Sequence, residues 1–188
     1  MEQGEVLLLD AAIEVLAAGG MQSLTHQEVD ARAGVSEGST SHLYRTRDDL
    51  LGAVLRRVLE RENAVWALLP VVPGASTIEG FADRMGRLLQ ILAGPERTLT
   101  MARQAVFAHV ATSPGLRAEL RSARSGVNAW LSPLLAELGS RHPEGDLDML
   151  LVFMDGLLAS QVAGPTPGWN PAPAIAALLH GLIERQAA

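Results

Sequence analysis

A glycine turn with a helix-starting signal on either side, within residues 25–47 (THQEVDARAGVSEGSTSHLYRTR), restricts this chain more than any other feature. Thr25 precedes an apolar-periodic segment and Glu28 stands three positions on, the spacing at which a hydroxyl and a carboxylate satisfy each other's unpaired backbone N–H groups. A helix therefore starts at about His26. Gly34 stops it, because a turn with positive φ accepts glycine without the Cβ clash that other residues suffer. Ser36 is the expected cap of a second helix that runs to about Tyr44. Two short helices across so tight a turn have helix-turn-helix geometry.

In that geometry Val29, Ala33, Val35, Thr40 and Leu43 face inward, while Glu37, Ser39, Ser41, His42 and Arg45 point outward. The outward set is short donors and acceptors with one cation, which suits base edges and phosphates.

From residue 8 to residue 58 the chain resembles the DNA-binding domain of the tetracycline-repressor family of bacterial regulators. The resemblance rests on LLDAAIEVLAAGG (8–20), LTHQEVDARAGVS (24–36), EGSTSHLYRTRDDLL (37–51) and the helix that opens after Thr46. It implies an all-α fold, with an N-terminal three-helix helix-turn-helix domain at 1–47 and a larger C-terminal helical ligand-binding and dimerisation domain at 48–188. It implies a homodimer on the palindromic operator of double-stranded DNA, most simply a repressor released by a small-molecule effector. The DNA-facing positions it marks are Thr25, Ser36, Glu37, Ser39, Thr40, Ser41, His42, Arg45 and Arg47.

Three features depart from the family pattern. Asp30 stands four residues before Gly34, where two closely approaching helices usually place alanine. Ser41 replaces a common tyrosine. Residues 1–47 carry seven acids against three arginines, a formal net −4, which opposes nonspecific attraction to phosphates. These departures keep open a second reading, a small-molecule carrier or sensor of the same fold without DNA binding; a helical enzyme stands third.

The remaining sequence is helical in style. With a formal net charge of −6 and pI near 5.3, the chain has no broad polyanion-binding surface, so any DNA contact must be local and helix N-termini would have to help. It has no cysteine, so neither a disulfide framework nor a thiolate metal cluster can form, and the N-terminus lacks the basic region of a signal peptide; a cytoplasmic protein is expected. Leu9, Ala12, Ile13 and Leu16 stripe a first helix that Gly19 and Gly20 should stop. Thr46 and Asp49 form a second capping pair ahead of a long helix that ends before Pro70. Residues 71–76 read as a loop, and Thr77 opens a helix carrying Ile78, Phe81, Met85, Leu88, Leu89 and Leu92 on one face. Helices follow at about 95–111 and 114–138, the latter kinked or split at Pro133. Residues 147–162 are apolar on nearly every side and too short and polar to span a bilayer, so with the last helix, striped by Ile175, Leu178, Leu179, Leu182 and Ile183, they are the expected dimer bundle.

No catalytic Ser-His-Asp set, phosphate loop or zinc spacing appears; His109, His142 and His180 lack partners at metal-ligand spacing, His26 at a helix start is expected to face solvent, and neither a cofactor nor a metal is expected. Asp148 and Asp155 lie seven apart on one helix and read as a polar strip beside the dimer seam. The resemblance implies an effector cavity in the C-terminal half. Trp66, Phe81, Met85, Phe107 and Trp130 are its candidate apolar wall, and Asp155 its candidate acid, since large aromatic and thioether side chains adapt to irregular ligands.

Overall fold

The computed structural model describes residues 3–68, 77–110 and 113–184; among them nine helices follow one another without a strand. They are α1 (Gln3–Ser23), α2 (His26–Ala33), α3 (Ser39–Leu43), α4 (Arg47–Ala67), α5 (Ile78–Ala93), α6 (Arg97–Val110), α7 (Pro114–Glu137), α8 (Pro143–Ala163) and α9 (Ala172–Glu184). The fold is all-α. The chain packs as two compact units, the described parts of 1–64 and 96–121 in one and of 65–95 and 122–188 in the other.

The first unit is built on the apolar stripes of α1 and α4. Leu9, Ile13 and Leu16 of α1 meet Leu50, Leu51, Val54, Leu55 and Val58 of α4, and Leu24, Val29 and Tyr44 close the core from the side of α2 and α3. Leu99, Ala102 and Val106 bring α6 into the same core, so this unit is larger than a three-helix domain. Ion pairs surround it: the Arg57 guanidinium donates two hydrogen bonds of 2.9 Å to Asp10, tying α4 to α1, which holds the guanidinium well above its ordinary proton affinity.

Several boundaries differ from those expected. Gly20 interrupts α1 with a φ of 67°, but the helix resumes and reaches Ser23. Thr46 and Asp49 cap α4 reciprocally, each backbone N–H donating to the other's side chain at 3.1 Å. The loop read at 71–76 lies outside the described residues. α7 passes through Pro133 as one helix.

In the second unit Thr77 accepts the Gly80 N–H at 3.1 Å to start α5, whose face of Phe81, Met85, Leu88, Leu89 and Leu92 is buried. α8 has two apolar faces. Leu147, Leu150, Met154, Leu158 and Val162 are buried in the unit, while Met149 and Val152 stand 51% and 63% exposed. That is why the helix reads as apolar all round.

α5 meets the start of α9 closely at Gly86, where a Cβ would stand 2.9 Å from the Ala172 Cβ and 3.1 Å from its backbone N. A backbone neighbour cannot rotate away. Gly86→Ala is therefore expected to destabilise by about 1–3 kcal/mol through overpacking, whereas Gly145→Ala, with nothing within 4 Å, should be neutral or stabilising. Urea midpoints of the two variants check this.

Candidate nucleic-acid interface

The helix-turn-helix is assembled by three local devices. Thr25 caps α2 by accepting the Glu28 N–H at 3.2 Å, and Gly34 ends it in the left-handed region with φ 67°. The third is the aspartate that departs from the family pattern. Asp30, 3% exposed, accepts from the Gly38 N–H at 2.7 Å, the Thr40 N–H at 2.8 Å and the Thr40 hydroxyl at 2.5 Å. A carboxylate on α2 thus performs the capping that α3 lacks from its own N-cap residue, Gly38.

This arrangement corrects the expected second helix. α3 begins at Ser39, and Ser36 caps nothing; its carbonyl instead accepts the Ser39 hydroxyl at 2.6 Å. At the N-terminus of α3 the Gly38 and Thr40 amides are taken by Asp30. Leu43, expected inward, is 51% exposed because the helix ends there and Tyr44 takes the inward place. Tyr44 is buried, and its hydroxyl donates to Glu5 of α1 at 2.9 Å. Burial first, and then that bond to a carboxylate, push the phenol far above its ordinary value, so it remains a donor.

Of the residues marked for DNA, Glu37, Ser41, His42, Arg45 and Arg47 are exposed and Ser39 is half-buried. Thr40 is fully buried and its hydroxyl is spent on Asp30, so it supports the surface from beneath. Thr25 serves α2. Glu37 accepts from Gln27 at 3.1 Å, and the Ser41 hydroxyl donates to the Gly38 carbonyl at 3.0 Å. With their protons given to backbone carbonyls, the Ser39 and Ser41 hydroxyls keep lone pairs as acceptors, a match for amino donors on base edges. Arg47 Nε donates to the Leu24 carbonyl at 3.3 Å and its terminal nitrogen to the Met21 carbonyl, which binds the end of α1 to the start of α4. Arg45 carries the exposed charge at the end of α3. His26, expected to face solvent, is half-buried.

Of the five residues of the expected effector wall, Trp66, Phe81, Met85 and Trp130 belong to the second unit and Phe107 to the first. Trp66 and Trp130 meet edge to face, with ring centroids 5.9 Å apart, in the second unit. Phe81 and Met85 are wholly buried there, Asp155 is exposed on α8, and Phe107 lies in the first unit with the Arg103 guanidinium 4.3 Å from its ring centroid. A cleft of about 370 Å³ between α1 and α4 is lined by Glu5, Leu9, Ala53, Arg56, Arg57 and Glu60, whose charged groups already have partners within the unit: Arg56 is ion-paired with Glu119 and Arg57 with Asp10 and Glu60, and Glu5 accepts the Tyr44 hydroxyl. Among the described residues no group of three or more acids and histidines is placed to hold a metal, and no helix is long and apolar enough to cross a membrane.

Known proteins are similar along the whole length. Residues 8–54 match the family model of bacterial regulatory proteins, tetR family, and residues 76–185 that of the tetracyclin repressor-like C-terminal domain. The HTH-type transcriptional regulator BetI of Escherichia coli O127:H6 is 35% identical over 88 residues, which are 46% of this chain and 42% of that protein; the chain thus spans less than half the length of this curated relative. A transcriptional regulator from Rhodococcus sp. RHA1 shares the fold with a TM-score of 0.84, at 24% identity over 97% of both chains. The multidrug binding protein EbrR, solved in complex with ethidium, superposes with a TM-score of 0.71 at 27% identity, over 95% of this chain and 98% of that one.

Burial alone would raise the Asp30 carboxyl, but the bonds from Thr40 and Gly38 outweigh it and hold the group below the ordinary value of 3.8. A group depressed in the folded state stabilises above its unfolded value and loses that contribution as pH falls through the folded one. The stability advantage of the native chain over Asp30→Asn should therefore be full near neutrality and shrink below about pH 3.8. Urea titrations of both proteins across that range check the sign; an advantage that widens on acidification contradicts it.

Proposed function

The chain belongs to the tetracycline-repressor family of transcriptional regulators, which are not enzymes, and from that membership we propose that it is a dimeric repressor released from a palindromic operator by a small molecule. The observation that carries the DNA-binding part is α3 itself: a short helix fixed at its start by Asp30 and at its end by Tyr44, with Ser41, His42, Leu43 and Arg45 turned outward. Residues 1–47 are the proposed DNA-binding part and 48–188 the proposed effector and dimer part. Ser39, Ser41 and His42 are assigned to base edges and Arg45 to a phosphate, while Thr25, Ser36, Glu37, Thr40 and Arg47 hold or flank that surface.

The second face of α8 supports the dimer. Met149, Val152, Gly156, Ala159 and Ala163 are exposed at alternating spacings of three and four, the spacing of a helix–helix seam, and Ala174 and Ala177 of α9 are exposed likewise. Two copies of the α8–α9 pair would form a four-helix bundle, and Asp148 and Asp155, both exposed, would flank its seam. For the effector, Trp66, Phe81, Met85 and Trp130 are the proposed apolar contacts. EbrR's complex with ethidium makes a flat aromatic cation the first compound to try.

The acidic balance of residues 1–47 favours a second reading, a ligand sensor that does not bind DNA. Footprinting on the DNA upstream of the protein's own gene separates the two. We expect a protected inverted repeat with half-sites one helical turn (~34 Å) or more apart, shifted preference in His42→Ala, and in Arg45→Ala a salt slope flatter by about one unit on every sequence. Absence of protection at any salt supports the sensor. Val152→Asp should yield monomers in sedimentation, since an unpaired carboxylate in an apolar seam costs several kcal/mol; a native chain that sediments as a monomer removes the dimer.

A further inference from the structure

We propose that Asp30 is a positioning residue that sets the sequence specificity of the DNA-reading surface while opposing indiscriminate binding. The inference rests on the DNA-binding reading above. Three donors of the segment that starts α3, the Gly38 and Thr40 N–H groups and the Thr40 hydroxyl, converge on one buried carboxylate of α2. α3 has only five residues, too few to hold its own register in isolation. Its angle to α2, and hence the direction in which Ser39, Ser41 and His42 point, is set by what grips it. The side-chain grips on α3 and its flanking residues include this carboxylate, the Tyr44 hydroxyl on Glu5, and Glu37 on Gln27. Asp30 is buried and cannot read a base itself.

Its charge acts in the opposite sense on the backbone of any duplex. A fixed anion at the start of the reading helix repels phosphates whatever the sequence, in a segment that holds six other acids and three arginines. The same carboxylate therefore raises specific affinity through geometry and lowers nonspecific affinity through charge. A residue that merely stabilised the fold would move both affinities together, in proportion to the folded fraction.

Two nearly isosteric variants separate these effects. Asp30→Asn removes the charge and turns an amide toward the Gly38 N–H, while Thr40→Val keeps the charge and deletes one donor. The probes are the protected upstream duplex and a scrambled duplex of the same composition, titrated with the full-length native and variant proteins after their circular dichroism spectra are matched. Asp30→Asn should lose about tenfold on the upstream duplex and gain a few-fold on the scrambled one; Thr40→Val should lose on the first and stay unchanged on the second. If Asp30→Asn fails to fold, Thr40→Val alone decides. A ratio of the two affinities that stays at the native value in the folded variants overturns the proposal with the DNA-binding reading intact. If the native protein itself shows no preference for the upstream duplex, that reading fails and the positioning role falls with it.

Discussion

The helix-turn-helix depends on a buried carboxylate that meets its hydrogen-bond demand across a turn. Removing Asp30 from water is costly, an effective penalty of several kcal/mol for an isolated ion. Hydrogen bonds to a charged acceptor contribute about 1.5–3 kcal/mol each, and Asp30 accepts three from the segment it holds. With all three donors in place those magnitudes offset each other, so the carboxylate and the start of α3 hold one another in position. An alanine at that position would pack as well but would leave the Gly38 and Thr40 amides to other partners.

The rest of the first unit makes that geometry rigid. Tyr44 passes from the end of α3 into the core and reaches Glu5, so displacement of α3 disturbs α1 directly. α1 is in turn fixed to α4 through Asp10 and Arg57, and the Arg47 guanidinium secures the carbonyls of the 21–24 turn. In the second unit, α8 divides its apolar surface between its own core and an exposed face of small residues, which allows close approach of another helix.

Much of this was legible in the sequence where the determining contact is local. The Thr25 and Thr46 caps, the Gly34 turn and the α5 face each depend on residues three or four apart, and the structure places them where spacing put them. What escaped depends on contacts across the turn or between distant stripes. Ser36 satisfies the local rule for a cap, but Asp30 wins because a buried carboxylate reaches two amides and a hydroxyl at once. The residue was visible as an anomaly, and its partner Thr40 was visible as inward-facing; nothing in the spacing joined them. Leu43 followed the helical period only as far as the helix lasted. The membership of α6 in the first core, and with it the position of Phe107, depends on stripes separated by more than forty residues.

If α3, held by Asp30, reads a defined duplex sequence, the protein must choose one sequence over all others. Selection of duplexes from a randomised pool by the purified full-length protein, followed by sequencing, measures it with no assumption about the gene regulated. Enrichment of one inverted repeat, with both half-sites recovered together, is the expected result. A pool that remains random after repeated rounds, from protein verified to be folded, contradicts it.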